Sequence, residues 1–136
     1  MRTHASRGVL MDIQLLFVIA LAVHGICHAY LGLVTFLDLR GTSVRSSILD
    51  SMGLDIGLVR ALSLIWVIPF IAFIASAWGV WTGAVWWDTV AWGGTVISVT
   101  YFILYWNSFP SIIPILGINM GNVVALAGLL GFINIA

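Results

Sequence analysis

Two histidines stand four residues apart in a long apolar segment near the start of the chain. His24 and His28 flank Cys27, the only cysteine, within the run from Ile13 to Leu37. On a helix, residues four apart lie on one face, one turn from each other, so the two imidazoles predict a common site. Neutral imidazole is a common ligand for zinc, copper and iron, and this pair could chelate one ion. Titratable side chains at membrane depth are functional candidates in any case, because burying them there is costly.

The rest of the sequence offers no strong third metal ligand at the same depth. Catalytic zinc sites use three protein ligands and structural sites use four. The aspartates all stand near predicted helix ends, and glutamate is absent. A metal site would therefore need weaker ligands such as Tyr101, Tyr105 or Asn122. A bis-histidine haem would need histidines on two facing helices, so a metal or haem here would be shared with another chain.

Two other interpretations of the histidine pair stay open. In the first, His24 and His28 hydrogen-bond to neighbouring helices and hold a bundle together, and each such bond contributes about 0.6–2 kcal/mol. The expected partners are Ser98, Tyr101 and Asn122. In the second, the histidines are the polar contacts of a pocket for a quinone, a lipid or another small amphiphile. The predicted ligand-binding residues are His24, His28, Trp66, Ser98, Tyr101, Tyr105 and Asn122.

The composition predicts a membrane protein. The chain has 136 residues, of which 62% are hydrophobic and 7% charged, and its mean hydropathy is +1.15. An average soluble domain is about a quarter charged. At roughly 20 apolar residues per crossing, the length accommodates four spans and short loops. We therefore expect a multi-pass protein of the cell membrane, with the lipid bilayer as its surroundings.

The charged residues exclude some classes of function. Five Arg balance five Asp, and both Lys and Glu are absent. Without Lys, the chain cannot form a Schiff base with retinal or another aldehyde. Without a basic patch, we expect no binding of nucleic acid.

The expected architecture is all-α, a four-helix transmembrane bundle that forms a single domain over residues 1–136. A short interfacial helix near residues 44–52 should place Ile48, Leu49 and Met52 toward lipid. Pro69 removes a backbone donor within the second helix and predicts a kink, with Trp66 beside a cavity. The four predicted membrane helices cover residues 11–37, 57–81, 87–106 and 115–135.

The third and fourth predicted helices carry further patterns. Polar residues at a spacing of three to four, from Thr95 through Ser98 to Tyr105, should face protein rather than lipid. Five tryptophans around the turn at residues 82–83 predict an aromatic belt at one membrane interface. Small residues at four-residue spacing predict close packing, in a homo-oligomer or with other membrane subunits. These are Gly117, Gly121 and Ala125.

The histidine segment also resembles a known group of proteins. The motif His24-Gly25-x-x-His28-x-x-Leu31-Gly32 is similar to the opening of short, uncharacterised prokaryotic four-helix membrane proteins that are DoxX-like in size and layout. The resemblance covers most of residues 11–136 and continues at Asp55-Ile-Gly57-x-x-Arg60-x-Leu-x-x-Ile-Trp66, at Trp86-Trp87 and at Gly117-x-x-x-x-Asn122.

This resemblance implies a fold and no established activity. Some true DoxX proteins are implicated in sulfur-compound or quinone-linked redox chemistry, but the second histidine is not their signature. No catalytic residue is therefore carried over. The chain departs from the group at Asp88, where a basic residue usually follows the paired tryptophans, and in a longer third turn with two prolines.

The sequence as a whole predicts a small, non-enzymatic integral membrane protein, acting as an accessory subunit or a self-associating bundle with a polar centre at His24 and His28. One alternative is a binding or redox-partner protein that holds a quinone, lipid, metal or haem there. Another is an enzyme acting on a lipid-soluble substrate. The arginines divide two against three between the sides and do not fix the orientation, and Met11 is an alternative start to Met1.

Overall fold

The structure, a computed structural model, describes residues 3–38, 46–108 and 112–131, with side chains over residues 13–38, 46–108, 117 and 120–131. The described residues are almost entirely helical and include no strand, which confirms the prediction of an all-helical chain. The elements are α1 (Thr3–Leu37), α2 (Ser47–Ser51), α3 (Ile56–Leu62), a 3-10 turn (Ser63–Trp66), α4 (Val67–Thr82), α5 (Trp87–Leu104) and α6 (Ile112–Leu129).

Two long helices begin or end away from their predicted limits. α1 starts at Thr3 rather than at residue 11. The additional residues, 3–10, contain no proline that would end the helix earlier. α6 starts at Ile112 and stops at Leu129, short of the predicted residue 135. Gly131 lies just beyond its end with a φ of 74°. This left-handed conformation is typical of glycines that terminate helices.

The predicted second membrane helix is continuous, but it contains one 3-10 turn between two α-helical parts. α3, the 3-10 turn and α4 together span Ile56–Thr82. Pro69 has no N–H to donate to the carbonyl of Ile65, four residues earlier. The turn directly before α4 adopts the tighter 3-10 form, so the predicted irregularity lies next to Trp66.

The helix predicted to be interfacial is shorter than expected, and part of it is buried. Ser46 caps α2 by accepting a hydrogen bond from the Leu49 N–H at 3.2 Å. Met52 is 65% exposed, as expected for a residue facing lipid, but Leu49 is only 3% exposed. The prediction that Leu49 faces lipid is wrong, because it packs in a core cluster with Leu31, Val59, Trp66 and Tyr105. Arg40, Arg45 and Pro110 lie outside the described residues.

Each of the four long helices packs against two of the others. α1 packs against α4 and α6, and α5 packs against α4 and α6. Gly32 allows the closest approach of α1 to the 3-10 turn, because a Cβ there would stand 2.9 Å from the Trp66 Cβ and 3.1 Å from the Ser63 carbonyl oxygen. The carboxyl ends of α1 and α5 meet α2 and α3 at one end of the molecule, which we call the Asp38 end. The turn between α4 and α5 lies at the opposite end, the Gly83 end.

Two stretches of the described helices are long and apolar enough to cross a membrane. Ile13–Leu37 has 25 residues and a mean hydropathy of 2.0, and Ile56–Thr82 has 27 residues and a mean hydropathy of 2.3. The first carries the histidine pair, and the second carries the rings that pack against that pair. The helices that supply the rest of the site are α5 and α6.

Candidate functional site: a buried polar cluster

The histidines of α1 meet one polar residue from α5 and one from α6. His24, His28, Ser98 and Asn122 are each at most 4% exposed, and we call these four residues the polar cluster. Each lies on the inner stripe of its helix. Along α1 this stripe also carries Leu21, which follows from the helical period.

The polar cluster is a closed cycle of four contacts. His24 Nε2 lies 3.0 Å from Asn122 Oδ1, and Ser98 Oγ lies 3.0 Å from the same oxygen. Ser98 Oγ also lies 3.0 Å from His28 Nε2. The cycle closes between the two imidazoles, whose Nε2 atoms are 3.3 Å apart. Three helices are therefore joined at one point.

Two aromatic rings from the neighbouring helical segment enclose the imidazoles. Trp66 stacks on His28 with ring centroids 5.0 Å apart and an interplanar angle of 27°. Phe73 also stacks on His28, at 5.7 Å and 13°, and lies 4.5 Å from the His24 ring. Both rings are fully buried. The histidines thus have polar partners at Nε2 and aromatic neighbours elsewhere.

Gly121 makes room for His24. A methyl group at this position would overlap the His24 imidazole at Nδ1, Cγ and Cε1. Asn122, the next residue, then reaches His24 Nε2 from the same helix turn. The small residue and the amide therefore act together to place α6 against α1.

Three polar atoms of the cluster have no hydrogen-bond partner among the described residues. They are the Nδ1 atoms of His24 and His28 and the Nδ2 atom of Asn122. Buried polar groups usually have a partner, so each exception calls for an explanation. Within the polar cluster, each imidazole therefore makes its polar contacts through Nε2 and not through Nδ1.

Four of the seven predicted site residues form the polar cluster. The other three, Trp66, Tyr101 and Tyr105, are aromatic residues that lie beside it. Trp66 contacts His28 directly. Tyr101 and Tyr105 lie on the far side of Trp66, with ring centroids 6.1 Å and 6.4 Å from it. Tyr105 donates its hydroxyl proton to the Val59 carbonyl at 2.6 Å, so this hydroxyl ties α5 to α3.

The sequence analysis missed two contributors to the site. Phe73 follows Trp66 by seven residues, a spacing that puts both on one helix face, and this spacing was the available signal. The second is Gly121, whose small size was predicted to serve packing against other chains. Here Gly121 and Ala125 pack toward α1 of the same chain, whereas Gly117 is exposed.

The described residues contain no group of three His, Cys, Asp or Glu side chains that could hold a metal. Cys27 is half-buried and lies between the histidines in sequence but outside the cycle. The chain matches no protein-family model, no curated protein and no solved structure. Its resemblance to DoxX-like proteins stays a prediction.

Proposed function

We propose that this chain is a non-enzymatic integral membrane protein that crosses the bilayer four times, through α1, the α3–α4 segment, α5 and α6. The observation that carries this proposal is the distribution of polarity, with the polar cluster buried between helices whose outward side chains are mostly apolar. In this function the polar cluster fixes the relative positions of α1, α5 and α6.

The outward faces of the long helices are mostly apolar. On α1, Leu16 is 66% exposed and Ile26 is 57% exposed, while His24 and His28 are buried on the opposite face. Ile71 on α4, Val96 on α5 and Val123 on α6 are each more than half exposed. A water-soluble bundle would be expected to show the opposite arrangement, so lipid is the solvent that this surface suits.

Exposed tryptophans lie at both ends of the bundle. Trp78 and Trp81 are 64% and 58% exposed toward the Gly83 end, and Trp106 is 56% exposed at the Asp38 end. Indole rings favour the boundary between lipid and water. The ion pair between Arg60 and Asp38 lies at the Asp38 end, where headgroups and water would surround its exposed part.

The packing around His28 favours a structural role of the polar cluster over the binding of a large ligand. Trp66 and Phe73 occupy the space next to the His28 ring, where a haem or quinone would have to lie. An open apolar groove of about 310 Å³ lies elsewhere, between α1 and α6. Association with other membrane subunits stays a prediction, and the exposed Gly117 is the part of the α6 ridge that is free to contribute.

Membrane topology provides the test. A Cys27→Ser background removes the only thiol, and single cysteines then replace exposed residues at the two ends. Asp50→Cys and Asn107→Cys mark the Asp38 end, and Asp88→Cys marks the Gly83 end. We expect a membrane-impermeant maleimide to label the first two from one side of sealed vesicles and the third from the other side. Labelling of all three from the same side, or release of the protein by carbonate, would contradict the four-span proposal.

A further inference from the structure

The polar cluster contains more contacts than it has protons to fill. If every side of the four-atom cycle were a hydrogen bond, four protons would be needed. Each imidazole Nε2 carries at most one proton, the Ser98 hydroxyl carries one, and the Asn122 carbonyl oxygen carries none. With both Nε2 atoms protonated, two donors face each other across the 3.3 Å between His24 and His28.

The opposite orientation of the Asn122 amide does not remove this excess. The amide nitrogen would then donate to His24 Nε2 and Ser98 Oγ, and the Ser98 hydroxyl would donate to His28 Nε2. Two imidazole lone pairs would face each other instead. In either arrangement hydrogen bonding satisfies at most three of the four contacts, so at least one pair of polar atoms in the cycle is in contact without a hydrogen bond.

The dimensions of the cycle match those of a small coordination site. Zinc binds imidazole nitrogen at about 2.0–2.1 Å, which separates neighbouring donors by about 3.3 Å in a tetrahedron and about 2.9 Å in a square. The four sides of the cycle measure 3.0, 3.0, 3.0 and 3.3 Å. They fall within this interval, and the four donor atoms come from three different helices.

We propose that the polar cluster is a metal site that binds one late first-row cation, zinc(II) or copper(I), through His24 Nε2, His28 Nε2, Asn122 Oδ1 and Ser98 Oγ. The two imidazoles are the strong donors, and they belong to the ligand class that zinc and copper share. A single ion would lie between the converging donors without displacing Trp66 or Phe73, unlike a haem or a quinone. All four ligands come from one chain, so no second chain is needed to complete the site.

Metal titration of the full chain, purified in detergent without an affinity tag, tests the proposal. We expect about one zinc(II) or copper(I) ion per chain in competition with a chromophoric chelator. Magnesium and calcium prefer oxygen donors, so we expect neither to compete. His24→Gln and His28→Gln should each lower the affinity at least tenfold. Ser98→Ala should lower it less, because a hydroxyl is the weakest of the four donors.

Two variants exclude other sources of metal binding. Cys27→Ser removes the only thiol, and His4→Ala removes the only histidine outside the cluster. Both should bind metal like the unchanged chain. The proposal would be overturned if Cys27→Ser or His4→Ala lowered the metal affinity as much as His24→Gln and His28→Gln do, or if the unchanged chain bound neither ion. Neither result would affect the topology experiment.

X-ray absorption of the loaded, unchanged chain gives a readout that does not depend on the folding of variants. Two imidazole ligands at about 2.0 Å from the metal are expected. A spectrum without imidazole scattering would overturn the proposal. Asn122→Asp adds a further test, since a carboxylate in place of the amide should raise the zinc affinity at least tenfold if this position is a ligand.

Discussion

Thr95 and Ser98 lie on the same buried stripe of α5, and they use their hydroxyl groups differently. Thr95 donates to the Ala91 carbonyl of its own helix at 2.8 Å. Ser98 contacts His28 and Asn122 on two other helices. Both residues are at most 3% exposed. Burial of a polar side chain therefore does not by itself show that it joins helices, because hydroxyls can be satisfied locally while imidazoles and amides need distant partners.

The same contrast extends to two other threonines. Thr82 donates to the Trp78 carbonyl of its own helix at 2.9 Å, and Thr100 donates in the same way to the Val96 carbonyl. In the polar cluster, every contact joins two helices except the one between His24 and His28. Substitutions at the polar cluster should therefore cost more stability than substitutions at the locally bonded hydroxyls.

The largest expected effect is that of His28→Ala. The substitution removes a fully buried ring stacked on Trp66 and Phe73 and leaves Ser98 without one of its contacts. Truncation of a large buried ring costs about 3–5 kcal/mol, and we expect a loss of unfolding free energy near the lower limit. Unfolding of the detergent-solubilised protein followed by circular dichroism measures it. Val23→Ala is the control on the exposed face of α1; an equal loss there would contradict the contrast.

A smaller effect is expected from Gly121→Ala. The added methyl group would overlap the His24 ring, and overpacking of this kind costs about 1–3 kcal/mol. Gly117→Ala, one turn earlier on α6, is the matched control because no atom of the described residues lies within 4 Å of its added Cβ. The same unfolding measurement compares them. If Gly117→Ala proves the more damaging of the two, α6 packs against α1 in another register.

The smallest effect distinguishes the two hydroxyls directly. Ser98→Ala should lower the unfolding free energy by about 0.6–1.7 kcal/mol, the average and the largest value found for hydrogen bonds between membrane helices. Thr95→Val keeps the shape of the side chain and removes a bond within one helix, so its effect should be close to zero. Similar losses in both variants would show that Ser98 adds nothing by contacting other helices.

The sequence predicted the members of the cluster better than its surroundings. His24, His28, Ser98 and Asn122 could be found because polar residues are rare in apolar helices, and their positions along the helices indicate their depth. Tyr101 shares the polar stripe of α5, but its ring contacts Trp66 and stacks on Tyr105. A few tens of degrees of helix rotation decide between such positions, and sequence spacing does not determine that rotation.

The aromatic and small residues around the cluster could not be predicted in the same way. Phe73 is one apolar residue among many in α4, so no contrast in polarity marks the face that meets α1. Leu49 followed the pattern of an interfacial helix, yet the contact between Ser46 and the Leu104 carbonyl holds α2 against the end of α5 and turns Leu49 inward. Both outcomes depend on how elements distant in the sequence fit together.

The long separation between His24 and Asn122 has a consequence for how the protein is made. The two residues are 98 positions apart, so α1 leaves the ribosome long before α6. During that interval His24 has no amide partner, and His28 gains Ser98 only once α5 has been synthesised. The bundle should therefore mature in order of synthesis, with the docking of α6 as its final step, and a chain interrupted before Asn122 would expose a half-paired histidine to cellular quality control.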